Sequence, residues 1–263
     1  MAENILNKII NKKKQKLENL KKITSIESLK DKIDKNTTFV NFKDKIANNI
    51  VNNKLSIIAE IKKASPSAGI IVQNYNPIDI AKKYYENKTT CLSVLTEEDF
   101  FHGNLIHMHK IKQKINLPIL CKDFFVDPFQ VYLSKSYGAD AILIILAGVN
   151  EKIANELYEI ALKLNMSVVV EVHNKDEAKN SLKFKEALIG INNRNLKTLD
   201  VNLNTTYDIH NILVNHRGPL ISESGIKTKE DVLQIAKKTK IKTFLIGESL
   251  LKNLDKNSIF SIL

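Results

Sequence analysis

The sequence predicts a (β/α)8 barrel, the TIM-barrel fold, with a helical extension at its N-terminus. Eight short apolar runs of strand length follow one another from about residue 55, at 55–60, 90–95, 117–121, 140–146, 167–172, 187–191, 219–222 and 243–246. Segments with helical periodicity lie between these runs, and strands that alternate with helices form parallel sheets with right-handed crossovers. Eight such units in a little over two hundred residues fit a closed barrel.

An open, doubly wound sheet is the alternative arrangement of the same units. No G-x-G-x-x-G follows the first apolar run, and the Ser-Pro-Ser-Ala-Gly turn at 65–69 cannot replace that dinucleotide-binding turn. The closed barrel is therefore favoured. We assign residues 1–50 to the N-terminal helical extension and residues 51–263 to the barrel, within a single domain overall.

Apolar residues at helical spacing predict the helices. Those of the extension are Asn4–Leu20, Ser25–Ile33 and Asn41–Asn49. Those of the barrel are Ile78–Asn87, Leu105–Lys114, Pro128–Tyr137, Lys152–Leu164, Thr205–Val214, Lys229–Lys238 and Glu248–Leu254. The pattern is weakest in the segment between 191 and 219.

The composition predicts a cytoplasmic globular protein. A hydrophobic content of 43% supports a full core, and no apolar run approaches the length of a membrane span. The N-terminus lacks the apolar middle of a secretory signal. Two cysteines, Cys91 and Cys121, are too few for a disulfide framework and have no metal-ligand spacing.

The net charge of +11 does not by itself indicate nucleic-acid binding. The lysines are spread along the chain among many asparagines and isoleucines, and they cluster only at 12–16 and 21–22. A nucleic-acid footprint concentrates basic residues on one face, often with aromatic residues between them. A positive field would serve a small anionic substrate equally well, so no nucleic-acid partner is expected.

Polar side chains stand at the ends of six apolar runs, where a barrel of this kind places its active site. The six ends are Glu60-Ile61-Lys62, Lys122-Asp123-Phe124, Glu171-Val172-His173, Asn192-Asn193-Arg194, Ser222-Glu223-Ser224-Gly225 and Gly247-Glu248. Each alone would be an ordinary strand end at which polarity resumes. A ring of six containing acids, bases, amides and glycines predicts an active site.

Alternation of side chains along a strand assigns directions to these residues. Glu60 and Lys62 share one face of the first strand. Lys122 and Glu171 point into the barrel, whereas Cys121 points toward the helices and is expected, like Cys91, to be a buried apolar residue. The last two strand ends carry Gly225 and Gly247, and the loops after strands seven and eight are where such barrels often bind phosphate.

The ordered motifs AEIKKASPSAG, LTEEDFFHG, PILCKDFFVDPFQ, GADAILII, VVVEVHN, IGINNRNLKTL, ISESGI and FLIGESL resemble those of the indole-3-glycerol phosphate synthase family. The resemblance runs from about Phe42 to Leu251, and the chain resembles the single-function form of the family. It implies a carboxy-lyase of tryptophan biosynthesis. The implied reaction is ring closure, decarboxylation and dehydration of 1-(2-carboxyphenylamino)-1-deoxyribulose 5-phosphate, without metal or organic cofactor.

The resemblance also implies residue roles. Lys122 is the expected general acid for ring closure, with a pKa that desolvation would lower toward working pH. Glu171 is the expected general base for dehydration, and either Lys62 or Lys122 is the acid of that step. Glu60 should pair with a lysine, and Lys62 should hold the substrate's carboxylate or phosphate. The expected catalytic set is completed by Asn192, which suits substrate hydroxyls, and Ser224.

The remaining expected contacts surround the substrate. Ser65 and Arg194 suit a carboxylate, although Arg194 could instead support neighbouring acids. Apolar walls for the anthranilate ring are expected from Phe101, Phe124, Leu143 and Leu196, with barrel core as the alternative for Leu143. The phosphate is expected at Ser224, Gly225, Gly247 and the backbone N–H of Glu248. The first helix should lie over or beside the barrel mouth.

Two other functions compete with this one. Phosphoribosylanthranilate isomerase, another phosphate-binding barrel, uses a Cys/Asp acid–base pair, but Cys121 faces away from the predicted site. A basic nucleic-acid-binding barrel would follow from charge alone, and no motif supports it. We expect a monomer that acts on a phosphorylated, anthranilate-derived small molecule and can associate with other enzymes of the tryptophan pathway, with no membrane contact.

Overall fold

The predicted (β/α)8 barrel is confirmed. The computed structural model describes residues 5–35 and 40–263. Within them, eight parallel strands form a closed barrel in which each strand pairs with the next and the last pairs with the first. The strands are β1 Ser56–Ile61, β2 Cys91–Leu95, β3 Ile119–Lys122, β4 Ala141–Ile145, β5 Ser167–Val172, β6 Leu188–Asn192, β7 Leu220–Glu223 and β8 Thr243–Ile246.

Helices precede and connect the strands. They are α1 Ile5–Ile23, α2 Ile26–Lys35, α3 Phe42–Val51, α4 Pro77–Glu86, α5 Leu105–Lys112, α6 Phe129–Ser136, α7 Glu151–Lys163, α8 Lys175–Ser181, α9 Asn204–Leu213, α10 Lys229–Thr239 and α11 Glu248–Lys252. Their ends differ from the predicted ones by a few residues. The predicted start at Asn4 lies outside the described residues, and α8 was not predicted because it has little apolar periodicity.

The abundant asparagines start many of these helices. An asparagine side chain just before a helix accepts hydrogen bonds from backbone N–H groups of the first turn, which have no partner inside the helix. Helices α3, α4, α5, α7 and α8 begin in this way, with the caps Asn41, Asn76, Asn104, Asn150 and Asn174. The compositional bias toward asparagine is therefore used by the fold.

The extension packs against both ends of the barrel. Phe42 and Ile46 of α3 are fully buried and join the apolar cluster inside the barrel, beside Ile58 and Leu120. At the opposite end, α1 packs on the loop after β4, where a Cβ atom on Gly148 would lie 3.4 Å from Ile10. The extension thus fills the N-terminal end and lies across the C-terminal end, as expected for its first helix.

Both cysteines are free and buried, as predicted. Cys121 packs between the strands and the surrounding helices, and Cys91 packs inside the barrel. Over residues 5–35 and 40–263, no helix is long and apolar enough to cross a membrane.

Candidate active site

A cavity of about 870 Å³ opens at the C-terminal ends of the strands. Every residue predicted for the site lines this cavity: Glu60, Lys62, Ser65, Phe101, Lys122, Phe124, Leu143, Glu171, Asn192, Arg194, Leu196, Ser224, Gly225, Gly247 and Glu248. Barrel closure brings together residues of β1, β3, β4, β5 and β6 and of the segments that follow β1, β2, β3, β6, β7 and β8. Alternation along the strands predicted that Lys122 and Glu171 point into the barrel, and both line the cavity.

Helix α1 forms part of the cavity wall. Its apolar residues Ile5, Leu6 and Ile9 line the cavity, although the sequence did not single them out as site residues. Lys13, largely buried, forms an ion pair of 2.7 Å with Asp123, the residue after β3. Burial lowers the pKa of Lys13, but Asp123 and nearby charges outweigh that effect and raise it. The helix is therefore held across the mouth by a buried charge contact.

Lys122 lies at the centre of the charged residues. Its Nζ atom donates a hydrogen bond of 2.7 Å to Glu171 Oε2 and lies 3.5 Å from Glu223 Oε2. The lysine side chain is 14% exposed, and both glutamate side chains are 2% exposed. One buried ammonium thus faces two buried carboxylates from neighbouring parts of the barrel.

The predicted lowering of the pKa of Lys122 is wrong. Burial does lower it, but the charges of Glu171, Glu223 and Glu60 outweigh burial, and the pKa is raised well above the usual value for lysine. Desolvation alone would lower the pKa of a buried lysine, but other strands bring three carboxylates to the same place. Lys122 is consequently a fully charged ammonium at neutral pH.

Glu171 is held as a carboxylate by three groups. Besides Lys122, the amide of Asn192 donates a hydrogen bond of 2.9 Å to Oε1, and His173 Nε2 lies 3.0 Å from the same oxygen. Burial raises the pKa of Glu171, but the charges of Lys122 and His173 reverse that effect and lower it far below its ordinary value. Asn192 thus orients an acid here, whereas the sequence suggested substrate hydroxyls as its partners.

His173 stands behind Glu171 and was not assigned a role from the sequence. Its Nδ1 atom lies 3.0 Å from Glu177 Oε2, and its backbone N–H donates to the same oxygen at 2.9 Å. Burial lowers the pKa of His173, but Glu171 and Glu177 outweigh burial and raise it to about 9. An imidazolium ion therefore lies between two carboxylates.

Glu223 is a further acid of the cavity that sequence reasoning did not select. Burial and the charge of Glu171 raise its pKa to about 7, with Lys122 opposing them. A Cβ atom on Gly190 of β6 would overlap Glu223 Oε1, so this glycine leaves room for the acid. The signal was present in the sequence, since alternation along β7 places Glu223 on the inward face with Ile221.

Lys62 and Glu60 form the expected ion pair, and their side chains are 15% and 7% exposed. A Cβ atom on Gly247 would overlap Glu60 Oε1. Gly247, predicted for phosphate, therefore also provides the space that Glu60 occupies.

The turn after β7 has an unusual backbone. Ser224 and Gly225 have φ angles of 68° and 81°, and the left-handed region is strained for a residue with a side chain. A Cβ atom on Gly225 would overlap Val201, so glycine is required there. The Ser224 carbonyl accepts a hydrogen bond of 3.1 Å from Asn193, which holds this turn in place.

Positive charges gather near the start of α11. The Glu248 carboxylate pairs with Lys252 at 2.5 Å, and this bond, followed by the charges of Lys62 and Arg194, lowers its pKa against the opposing effect of burial. The carboxylate is thus turned to Lys252. The Arg194 guanidinium donates a hydrogen bond of 2.9 Å to the Leu199 carbonyl and orders the loop after β6.

The remaining predicted residues form the turn and the walls. Ser65 Oγ accepts a hydrogen bond of 3.2 Å from the N–H of Ala68 and stabilises the turn after β1. The rings of Phe101 and Phe124 lie 6.1 Å apart. Leu143 is 1% exposed in the interior cluster and also lines the cavity, so it is both core and floor.

Across residues 5–35 and 40–263, no group of three or more His, Cys, Asp or Glu side chains is arranged to hold a metal ion. The site combines a charged ammonium, several buried carboxylates, an apolar wall and a cationic end. Such a combination suits acid–base chemistry on an anionic substrate with an aromatic part.

Comparisons with known proteins identify the family. The family model described as Indole-3-glycerol phosphate synthase matches residues 6–262. The indole-3-glycerol phosphate synthase of Polynucleobacter necessarius is 38% identical over 263 residues, covering 98% of each chain. The Tryptophan biosynthesis protein TrpCF of Buchnera aphidicola is 41% identical over 259 residues. The aligned region covers 98% of this chain and 55% of that protein.

A solved structure supports the fold alone. The tryptophan synthase alpha chain of Legionella pneumophila superposes with a TM-score of 0.59 at 11% identity, covering 85% of this chain and 93% of that one. Because the family model covers residues 6–262 and the Polynucleobacter relative is 38% identical over 98% of each chain, the chain belongs to the indole-3-glycerol phosphate synthase family.

Proposed function

We propose that Lys122 and Glu171 are the general acid and general base of this carboxy-lyase of tryptophan biosynthesis. The substrate is 1-(2-carboxyphenylamino)-1-deoxyribulose 5-phosphate and the product is indole-3-glycerol phosphate. The observation that carries the assignment is the buried contact of 2.7 Å between Lys122 Nζ and Glu171 Oε2 on the cavity floor.

Lys122 supplies the proton that ring closure requires. An aromatic carbon attacks the substrate ketone, and negative charge develops on the ketone oxygen. A charged ammonium that points into the cavity stabilises that charge and transfers a proton to it. Because the pKa of Lys122 is raised, this donor is protonated at neutral pH.

Proton donation by Lys122 then prepares Glu171 for its own step. The charge of Lys122 is a main cause of the lowered pKa of Glu171. Once Lys122 is neutral, that stabilisation of the carboxylate is lost and the pKa of Glu171 rises, so it becomes a stronger base. The acid step thereby activates the base of the later dehydration.

The rest of the cavity orients the substrate. The anthranilate ring lies against Phe101, Phe124, Leu143 and Leu196. The phosphate lies at Ser224, Gly225, Gly247 and the N–H of Glu248. Lys62 and Arg194, whose charges both act on Glu248, bind the substrate's anionic groups. Ser65 and Asn192 complete the polar contacts, and Glu60 orients Lys62.

The assignment is tested with the purified chain and the carboxyphenylamino substrate. Formation of the indole chromophore with release of carbon dioxide is expected. Lys122→Met and Glu171→Gln should each lower kcat by about 10²–10⁴-fold, the usual contribution of a general acid or base. Lys63→Met is the matched control, because Lys63 follows β1 without lining the cavity, and this variant should keep kcat within about threefold. Full turnover by either active-site variant would refute the roles.

We further propose that the chain acts as a monomer in the cytoplasm, where its buried thiols stay reduced. The relative named TrpCF supports association with other enzymes of the pathway. Light scattering during size-exclusion chromatography tests the first point, with 29.8 kDa expected.

A further inference from the structure

We propose that Glu223 returns a proton to Lys122 in every catalytic cycle. It is a positioning residue of the acid–base cluster, because it acts on the substrate only through Lys122. The inference rests on the proposed role of Lys122 as the proton donor of ring closure.

Glu223 lies beside Lys122, but the distance between them is longer than that of a close ion pair. Glu223 Oε2 lies 3.5 Å from Nζ, whereas Glu171 Oε2 lies 2.7 Å from the same atom. The other oxygen, Glu223 Oε1, is buried and has no hydrogen-bond partner within the described part of the chain. A buried, unpaired carboxylate oxygen is costly, and protonation of the carboxyl group reduces that cost.

The surrounding charges also favour a group that changes its protonation state. Glu223 faces Lys122 from β3, Glu171 and His173 from the end of β5, and Glu60 from β1. Burial and the two carboxylates oppose its ionisation, whereas the two cations favour it, and the resulting pKa is about 7. The group can therefore both hold and release a proton near neutral pH.

The overall reaction requires proton uptake from solvent. The benzoate carboxylate leaves as carbon dioxide. The electron pair of the broken carbon–carbon bond stays on the ring and restores its aromaticity, so the ring releases no proton in this step. Ring closure takes up one proton at the ketone oxygen. Dehydration takes up one at the departing hydroxyl and releases one from carbon. Each turnover thus consumes one net proton, which must reach a buried site.

Glu223 can carry that proton to Lys122. After ring closure and dehydration, the Lys122 amine still has the free electron pair left when its proton moved to the ketone oxygen, and that proton has departed with the lost water. The O–H bond of the Glu223 carboxyl group then breaks, and the proton bonds to Nζ, leaving an ammonium ion and a carboxylate. Because the pKa of Lys122 lies far above that of Glu223, this transfer is favourable. Water entering the open cavity after product release protonates Glu223 again.

The experiment compares first and later turnovers of Glu223→Gln, an isosteric change that cannot donate a carboxyl proton. With enzyme in excess, Lys122 starts charged, so carbon dioxide release in the first turnover should stay within about threefold of the unaltered rate. With substrate in excess, kcat should fall at least about tenfold while KM changes less than about threefold. A purely structural defect would slow both regimes alike.

The pH profile provides a second readout. Glu223 must be protonated to donate, so its contribution is present below pH about 7 and is lost as the pH rises through that value. The unaltered enzyme should show this basic limb in kcat, and Glu223→Gln should lack it. Glu223→Asp keeps a carboxyl group and should retain the limb, which also covers the case in which the glutamine variant folds poorly.

The outcomes separate this proposal from the one on which it rests. An unchanged multiple-turnover kcat, or an unchanged basic limb, in Glu223→Gln overturns the role of Glu223 while Lys122→Met remains inactive. Turnover by Lys122→Met overturns the proposed acid itself, whatever Glu223→Gln does.

Discussion

The two ends of the barrel interior are filled in opposite ways. At the N-terminal end, Phe42 and Ile46 enter from α3 and pack on Ile58 with no exposed surface. At the C-terminal end, Glu171 and Glu223 are almost as deeply buried, with side chains 2% exposed, and Lys122 beside them is 14% exposed. Burying apolar surface stabilises a fold, whereas burying charges costs free energy unless each charge is well paired. The N-terminal end of the barrel interior therefore stabilises the fold, and the C-terminal end carries the charged groups of the site.

The N-terminal end provides the largest expected effect. Phe42→Ala should lower the free energy of unfolding by about 3–5 kcal/mol, because it removes a fully buried aromatic ring and leaves a cavity. The kcat of the folded fraction should stay within about threefold of the unaltered value, since the active site lies at the other end. Urea denaturation and steady-state assays measure the two quantities.

Val51→Ala is the control for that change. Val51 ends the same helix and is 84% exposed, so its truncation should cost less than about 0.5 kcal/mol. A large loss of kcat in folded Phe42→Ala would mean that the two ends are coupled, and the division of tasks would be wrong.

Lys62 provides the next largest effect, at the C-terminal end. Lys62→Met should raise KM by about 10–100-fold, the amount expected for one lost charge-assisted contact of about 1.5–3 kcal/mol. The control Lys63→Met removes the same charge from the neighbouring position on the outward face. If both variants raise KM equally, the effect comes from the general positive field, and Lys62 makes no direct contact with the substrate.

The pattern of apolar runs was sufficient to predict the fold because each barrel strand is buried on both faces. Alternation predicted the inward direction of Lys122 and Glu171, whereas the roles expected for Glu60 and Asn192 came from the resemblance to the family. The pKa of Lys122 could not be predicted in this way, since its direction depends on carboxylates of β1, β5 and β7 that are far apart in sequence. The need for glycine at position 190 could not be predicted either, because the side chain that it leaves room for, Glu223, comes from another strand.

Helix α8 shows a different limit. Of its seven residues only Ala178 and Ser181 are buried, so the helix has almost no apolar stripe. The available signal was Asn174 followed by Asp176 and Glu177, a cap with acids in the first turn. Glu177 is also the acid that holds His173, so a weakly patterned helix supplies an important contact of the site.

His173 provides the smallest expected effect and tests whether charge at the C-terminal end can also add stability. Its pKa is raised from 6.5 to about 9 in the folded chain by Glu171 and Glu177, against the effect of burial. The stabilisation is therefore fully present below pH 6.5 and is lost as the pH rises through about 9. We expect His173→Gln to cost about 1–2 kcal/mol of unfolding free energy at pH 6 and much less at pH 9.5.

Urea denaturation at the two pH values measures that loss. His210→Gln is the control, because the His210 ring contacts the Tyr207 carbonyl and faces no carboxylate at that nitrogen. This control should follow the pH dependence of the unaltered chain. An equal cost of His173→Gln at both pH values would mean that the imidazole stabilises the fold by packing alone. The buried charges at the C-terminal end would then lower the free energy of unfolding, and the apolar N-terminal end would have to offset that loss.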